Sequence, residues 1–278
     1  MVLPPPLIHA PRGDLPVLLS VPHSGRDYPV ELIALARSGK PALVTLEDPL
    51  VDRLAWRALA RGCGAVIART PRAAIDCNRG ADELDPAVIE GAPRGGMSVR
   101  ARGGLGVVPA RTQAHGFLWR RTISHGELEQ RLADAHRPYH QALESALDAL
   151  IERSGCALLL DCHSMPPPPA GAGQVVIGDR LGRSAAPWLS HAALAIARRG
   201  GYSAGLNDPF AGGYVIARHA RPAQGVHALQ IELDRTTYLD RSLARPGDGF
   251  ERAATLLESL AVELGEALLA RRFAVAAE

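Results

Sequence analysis

The chain has 278 residues, 47% of them hydrophobic and 22% charged, with a formal net charge of +2. That apolar content is enough for one α/β core of this length, and the 31 basic residues are scattered without a basic stripe, which argues against a nucleic-acid partner. Lys40 is the single lysine, so the arginine excess is read as base composition and not as a polyanion-binding surface.

Cys63, Cys77, Cys156 and Cys162 form no CxxC pair, and free thiols in a reducing cytoplasm are the simplest expectation. The opening MVLPPPLIHAP has no basic n-region and no unbroken apolar run. Neither a signal peptide nor a membrane span is expected.

In chain order, an apolar run from Pro16 to Val21 predicts a first strand, closed by PHSGRDYP as a tight loop. Val30–Arg37 reads as a short helix. Thr45–Pro49 is a loop entering a helix over Leu50–Arg61, with Pro49 suited to its first turn. Gly64–Ala68 and Ala73–Ile75 are short strand-like runs, the second leading into Asp76-Cys77-Asn78-Arg79. Gly91–Gly106 is rich in Gly and Arg and is expected as an excursion over the surface. Glu127–Arg153 carries the longest helical spacing, kinked or restarted at Pro138. The run Leu158–Leu160 then leads through Asp161 to His163, before four prolines end any regular structure. Gln174–Ile177 reads as a strand, Ser184–Arg199 as a helix, Tyr214–Ala217 as a strand behind the glycine loop Asn207–Gly213, and Phe250–Arg271 as a closing amphipathic helix. Strands alternating with helices, with no repeat and no linker, predict a single three-layer α/β/α sandwich over residues 1–278 with a mixed, largely parallel sheet.

The chemistry concentrates where apolar runs end in polar residues. VLLSVPHSG delivers His23 and LLLDCHSMP delivers His163 to strand ends, the edge at which open α/β sheets bind ligands. A catalytic zinc ion takes three protein ligands. His23 and His163 supply two, and the third should be an acid, Asp48 first and Glu47 as the alternative. Asp161 is better placed to orient the ring of His163 through its other nitrogen. Glu232 lies among Leu229, Ile231 and Leu233, where a carboxylate must be paired or functional. It is either a general base or the partner of Arg235 or Arg218. Asn78-Arg79 suits an anionic substrate, because a guanidinium grips a carboxylate through two hydrogen bonds. Arg69, Arg72 and Arg218 are further cations to consider, although an exposed arginine is usually only solvated. Pro138 and the lack of an HExxH glutamate argue against a metal at His136 and His140, while His140 stays within reach of the crevice. A Ser-His-Asp relay from Asp161, His163 and Ser164 fails, since neighbours on a strand point to opposite faces.

Taken in order, VPHSGRDYP, EDPLVDRL, IDCNR, HRPYHQAL, DCHSMP, NDPFAGGYVIARH and HALQIELDRTTYLD resemble the N-formylglutamate amidohydrolase family, over about Pro16 to Asp240. The resemblance implies a fold similar to the zinc carboxypeptidases and aspartoacylases and one divalent metal, zinc, on His23, Asp48 and His163. It implies Glu232 as general base and Asn78 with Arg79 as the holder of a substrate carboxylate. The loop from Asn207 to Gly213, with Arg218, would form the wall at the substrate's other end. The implied reaction releases formate and glutamate from a small anionic N-acyl amino acid. A deacylase or carboxypeptidase-like amidase with another acyl group, and a non-catalytic binding protein keeping the fold, are the alternatives.

Overall fold

The computed structural model describes residues 1–93, 95, 97–168 and 173–276. In chain order it comprises β1 (Leu7–His9), β2 (Val17–Val21), α1 (Val30–Leu35), α2 (Gly39–Val44), α3 (Val51–Leu54), α4 (Trp56–Ala60), β3 (Gly64–Ile67) and α5 (Val99–Arg102). There follow β4 (Arg111–Thr112), β5 (Gly116–Phe117), α6 (His125–Arg131), a π-turn (Leu132–His136), α7 (Arg137–Ser154), β6 (Ala157–Met165) and β7 (Val175–Gly178). The chain ends with α8 (Pro187–Arg199), β8 (Ala204–Leu206), α9 (Tyr214–His219), β9 (Val226–Asp234) and α10 (Phe250–Ala276). None of the described helices is long and apolar enough to cross a membrane. All four cysteines are buried free thiols.

Backbone contacts divide the chain into two compact units, Met1–Leu7 with Pro22–Glu47 and Ile67–Gln141, and Ile8–Val21 with Asp48–Val66 and Ala142–Glu278. The second unit is built on a seven-stranded sheet in the order β1-β3-β2-β6-β9-β7-β8. Strands β2, β6 and β9 run parallel, and β7 is antiparallel to β9 while parallel to β8. The α/β class and the mixed, mostly parallel sheet are therefore as expected. β2 and β6 are buried at every residue, which is why their first halves, residues 17–19 and 157–160, read as continuous apolar runs: strands covered on both faces have no solvent side to alternate with. Helix α10 covers β2 and β6 and packs on α3, α4 and α8.

The first unit has its own core, which includes Leu32, Leu43, Ile75, Ile89, Val107, Leu118, Ile123 and Leu128. Its helix α6 starts on a complete capping box, Ser124 accepting from the Glu127 amide and Glu127 accepting from the Ser124 amide. The interruption expected at Pro138 takes the form of the π-turn just before α7. Proline cannot donate to the carbonyl four residues back and its ring crowds that turn, so the helix widens there.

Several expectations are corrected. The helix over Leu50–Arg61 is two pieces, broken at Ala55, and Leu50 lies in the left-handed region at φ 62°. Ala73–Ile75 is a turn, not a strand, so Asn78 and Arg79 leave a turn. Tyr214–Ala217 is helical: the β-branched pair Val215 and Ile216 suggests a strand, but Val215, Ile216 and His219 are the buried set, and that spacing belongs to a helix packed on β9 and β6. The Gly/Arg-rich stretch is not wholly superficial. It turns inward at Ala101, Gly104 and Gly106, all buried; Arg94 and Gly96 lie outside the described residues, as does Pro169 of the proline run.

Candidate active site

In the second unit, parallel pairing puts His163 opposite Glu232 and Asp161 opposite Gln230, with Ser20 opposite Asp161 on the other side. Register partners share a face and alternate residues along a strand return to it. Ser20, Asp161, His163, Gln230 and Glu232 thus make one polar seam inside an apolar sheet, each at most 8% exposed.

The seam is bonded throughout. Asp161 accepts from the Ser20 hydroxyl at 2.7 Å through Oδ1 and holds His163 Nε2 at 2.9 Å through Oδ2. On the opposite side of the ring, His163 Nδ1 faces Asp48 Oδ2 at 3.0 Å. Burial opposes a charge on this imidazole, yet Asp161, Asp48 and Glu232 outweigh it and lift its pKa well above the ordinary histidine range. Gln230 Nε2 donates to Glu232 Oε1 at 2.9 Å. Of the two arginines considered as partners for Glu232, Arg235 donates to Asp48 and to Ser164, and Arg218, exposed on α9, donates to the Tyr214 hydroxyl.

In the first unit, His23 opens the sharp loop that comes after β2. Gly25 is required there, because a Cβ would lie 2.1 Å from the Thr70 carbonyl oxygen. His23 Nε2 meets Asp76 Oδ1 at 2.7 Å. Asp76 also accepts from Arg72 Nε at 2.9 Å and from the Asn78 amide at 2.8 Å. Full burial would raise its pKa, but Arg72, His23 and Arg79 hold the carboxyl well below the usual range. Arg72 is therefore a brace for Asp76. Arg79 donates through Nε to the Leu105 carbonyl at 2.8 Å and through Nη1 to the Asn78 carbonyl at 2.6 Å, and His136 Nε2 donates to the Arg79 carbonyl at 2.8 Å. These two bonds commit Nε and one hydrogen of Nη1. Leu105 belongs to the Gly/Arg-rich stretch, whose inner end thus holds the Asn78-Arg79 pair.

Ligand atoms of His23, Asp48 and His163, all buried, lie within 4.8 Å of one another, the one such grouping among the described residues. Glu47, buried beside Asp48 in sequence, accepts a hydrogen bond from the Tyr28 hydroxyl. His140 is buried with its ring 4.5 Å from that of His136, centroid to centroid. Asn207, at φ 64°, uses both ends of its amide on the Asp179 segment: Oδ1 accepts from the Asp179 amide and Nδ2 donates to the Asp179 carboxylate. Gly213 is the buried residue that precedes α9.

Sequence reasoning passed over Asp76 and Gln230. The signal for Asp76 was present, since Asp76-Cys77 and Asp161-Cys162 are the same dipeptide and each aspartate holds a histidine Nε2. Gln230 stands two residues before Glu232 and so on its face.

Residues 15–239 match the family described as N-formylglutamate amidohydrolase. The chain is 32% identical over 246 residues to an N-formylglutamate deformylase of Pseudomonas putida, covering 83% of this chain and 84% of that protein. It is 30% identical over 238 residues to the N-formylglutamate deformylase of Pseudomonas aeruginosa, with 82% and 84% covered. The crystal structure of an N-formylglutamate amidohydrolase from Ralstonia eutropha JMP134 superposes with a TM-score of 0.87 at 31% identity, over 96% of this chain and 99% of that one. With the match spanning both histidine segments and the Glu232 strand, the chain belongs to the N-formylglutamate amidohydrolase family.

Proposed function

We propose that the chain is one metal-dependent amidohydrolase domain of the cytoplasm that hydrolyses N-formyl-L-glutamate to formate and L-glutamate, as a step in histidine breakdown. The observation that carries this reading is the buried His23, Asp48 and His163 grouping in a chain of this family. Two imidazoles and a carboxylate are a donor set suited to zinc. The aspartates on the two Nε2 atoms support it further, because ligating histidines take their orientation from such partners.

Zinc held by these three residues would supply a Lewis acid and water of lowered pKa. The chain's own residues do the rest. Arg79 and Asn78 bind a substrate carboxylate and so fix the formamide. Glu232, its carboxylate oriented by Gln230, takes a proton from the attacking water and passes it to the amide nitrogen as the C–N bond breaks. Water adds across that bond, giving formate and a free amine. Arg218 and Gly213 are the parts of the predicted substrate wall left to contact the far end, Asn207 being engaged with Asp179.

The deciding experiment is elemental analysis of protein purified without chelator or affinity metal, joined to formate release from N-formylglutamate before and after chelation. About one zinc per chain and chelator-sensitive formate release are expected. Zinc without formate release would move the substrate to another N-acyl amino acid, and absence of metal with no activity on adding any would overturn the proposal. A second expectation concerns Asp76. Asp76→Ala frees the His23 ring and should weaken zinc binding by about 10- to 100-fold, measured by competition with a chelator.

A further inference from the structure

Asp48 is held by a residue that no comparison assigns to the site. Arg235 Nη2 donates to Asp48 Oδ1 at 3.2 Å while Arg235 Nε donates to the Ser164 hydroxyl at 3.2 Å. The Asp48 side chain is 3% exposed and that of Arg235 14%, so little water competes for the contact. The arginine starts from a fixed base. It opens a 3-10 turn, Arg235–Thr237, capped by Asp234, whose carboxylate accepts from the Thr236 amide at 2.9 Å and the Thr236 hydroxyl at 2.8 Å. One residue past that turn, the Tyr238 hydroxyl donates to the Pro49 carbonyl at 2.7 Å, pinning the backbone next to Asp48. The short segment after β9 therefore grips both the carboxylate of Asp48 and the chain beside it.

Asp48 uses its two oxygens differently: Oδ1 receives the guanidinium and Oδ2 faces His163 Nδ1. A carboxylate held by one oxygen cannot spin about its χ2 bond, and the other oxygen keeps its direction. We propose that Arg235 is a positioning residue for Asp48, fixing the carboxylate so that Oδ2 alone is presented to the metal beside His163. This rests on the metal site proposed above. In this role Arg235 acts through Asp48.

The test is zinc affinity, by chelator competition, on the full chain carrying Arg235→Met, Asp48→Ala and both together. Arg235→Met should weaken zinc binding by about 10- to 100-fold. In the Asp48→Ala background the same change should cost less than about twofold more, because the carboxylate that Arg235 holds is already gone. Equal losses in both backgrounds, or unchanged or tighter zinc binding by Arg235→Met, would overturn the inference while leaving the metal site standing. A wild-type chain that binds no zinc would overturn the site and the inference with it. Arg235→Lys keeps the charge and should recover part of the affinity with a wild-type melting temperature. If instead both variants melt early and Lys recovers nothing, Arg235 is a folding residue and the proposal fails.

Discussion

Glu232→Gln should lower the rate of formate release from N-formylglutamate by about 10²- to 10⁴-fold, the span general acid–base groups contribute, with zinc content unchanged. The substitution keeps shape and the hydrogen bond from Gln230 Nε2, since the new amide oxygen accepts where Glu232 Oε1 did. What it removes is proton affinity. Glu232 is 8% exposed on a strand otherwise apolar from Leu229 to Leu233 apart from Gln230, and a buried carboxylate there has a desolvation cost that only function or pairing offsets. Its register partner is His163, so the proposed base lies on the seam that carries the proposed ligand. The measurement is kcat and KM for formate release beside zinc per chain. A fall in kcat at constant KM and constant zinc separates loss of the base from loss of substrate binding; near-normal turnover would place the base elsewhere.

What the sequence made legible was the chemistry carried by buried strands. Ala157–Met165 and residues 228–234 are buried throughout, so Asp161, His163 and Glu232 stand out against their apolar neighbours. The turns around the other half were harder to read. Asp76 holds His23 across 53 residues of sequence, and no local pattern encodes that distance. The segment just before it looks like a strand by composition yet is a turn, in which Asp76 caps the Asn78 amide. Arg235, close in sequence to Glu232, reaches Asp48, 187 residues away, and Ser164. Leu50 defeats helix reasoning in a different way. Its left-handed backbone at φ 62° is a conformation leucine does not favour, so propensity does not point to it.

His163→Ala should remove zinc and activity together, and this separates it from Glu232→Gln. The imidazole stands between Asp161 and Asp48 at 2.9 and 3.0 Å, and both carboxylates are buried. Without the ring they lose their shared partner. Asp161 keeps the Ser20 hydroxyl and Asp48 keeps Arg235, but each buried acid loses the imidazole it faced. Removing one member of a buried charged set costs about 3–5 kcal/mol, so the variant should also melt earlier than wild type, an effect Glu232→Gln should lack. Zinc per chain after dialysis, formate release and a thermal melt read the three consequences independently. Loss of zinc with loss of activity and a lower melting temperature is expected. A full zinc complement in His163→Ala would remove His163 from the ligand set, and the seam of Ser20, Asp161, His163 and Glu232 would then need a purpose other than holding and serving a metal.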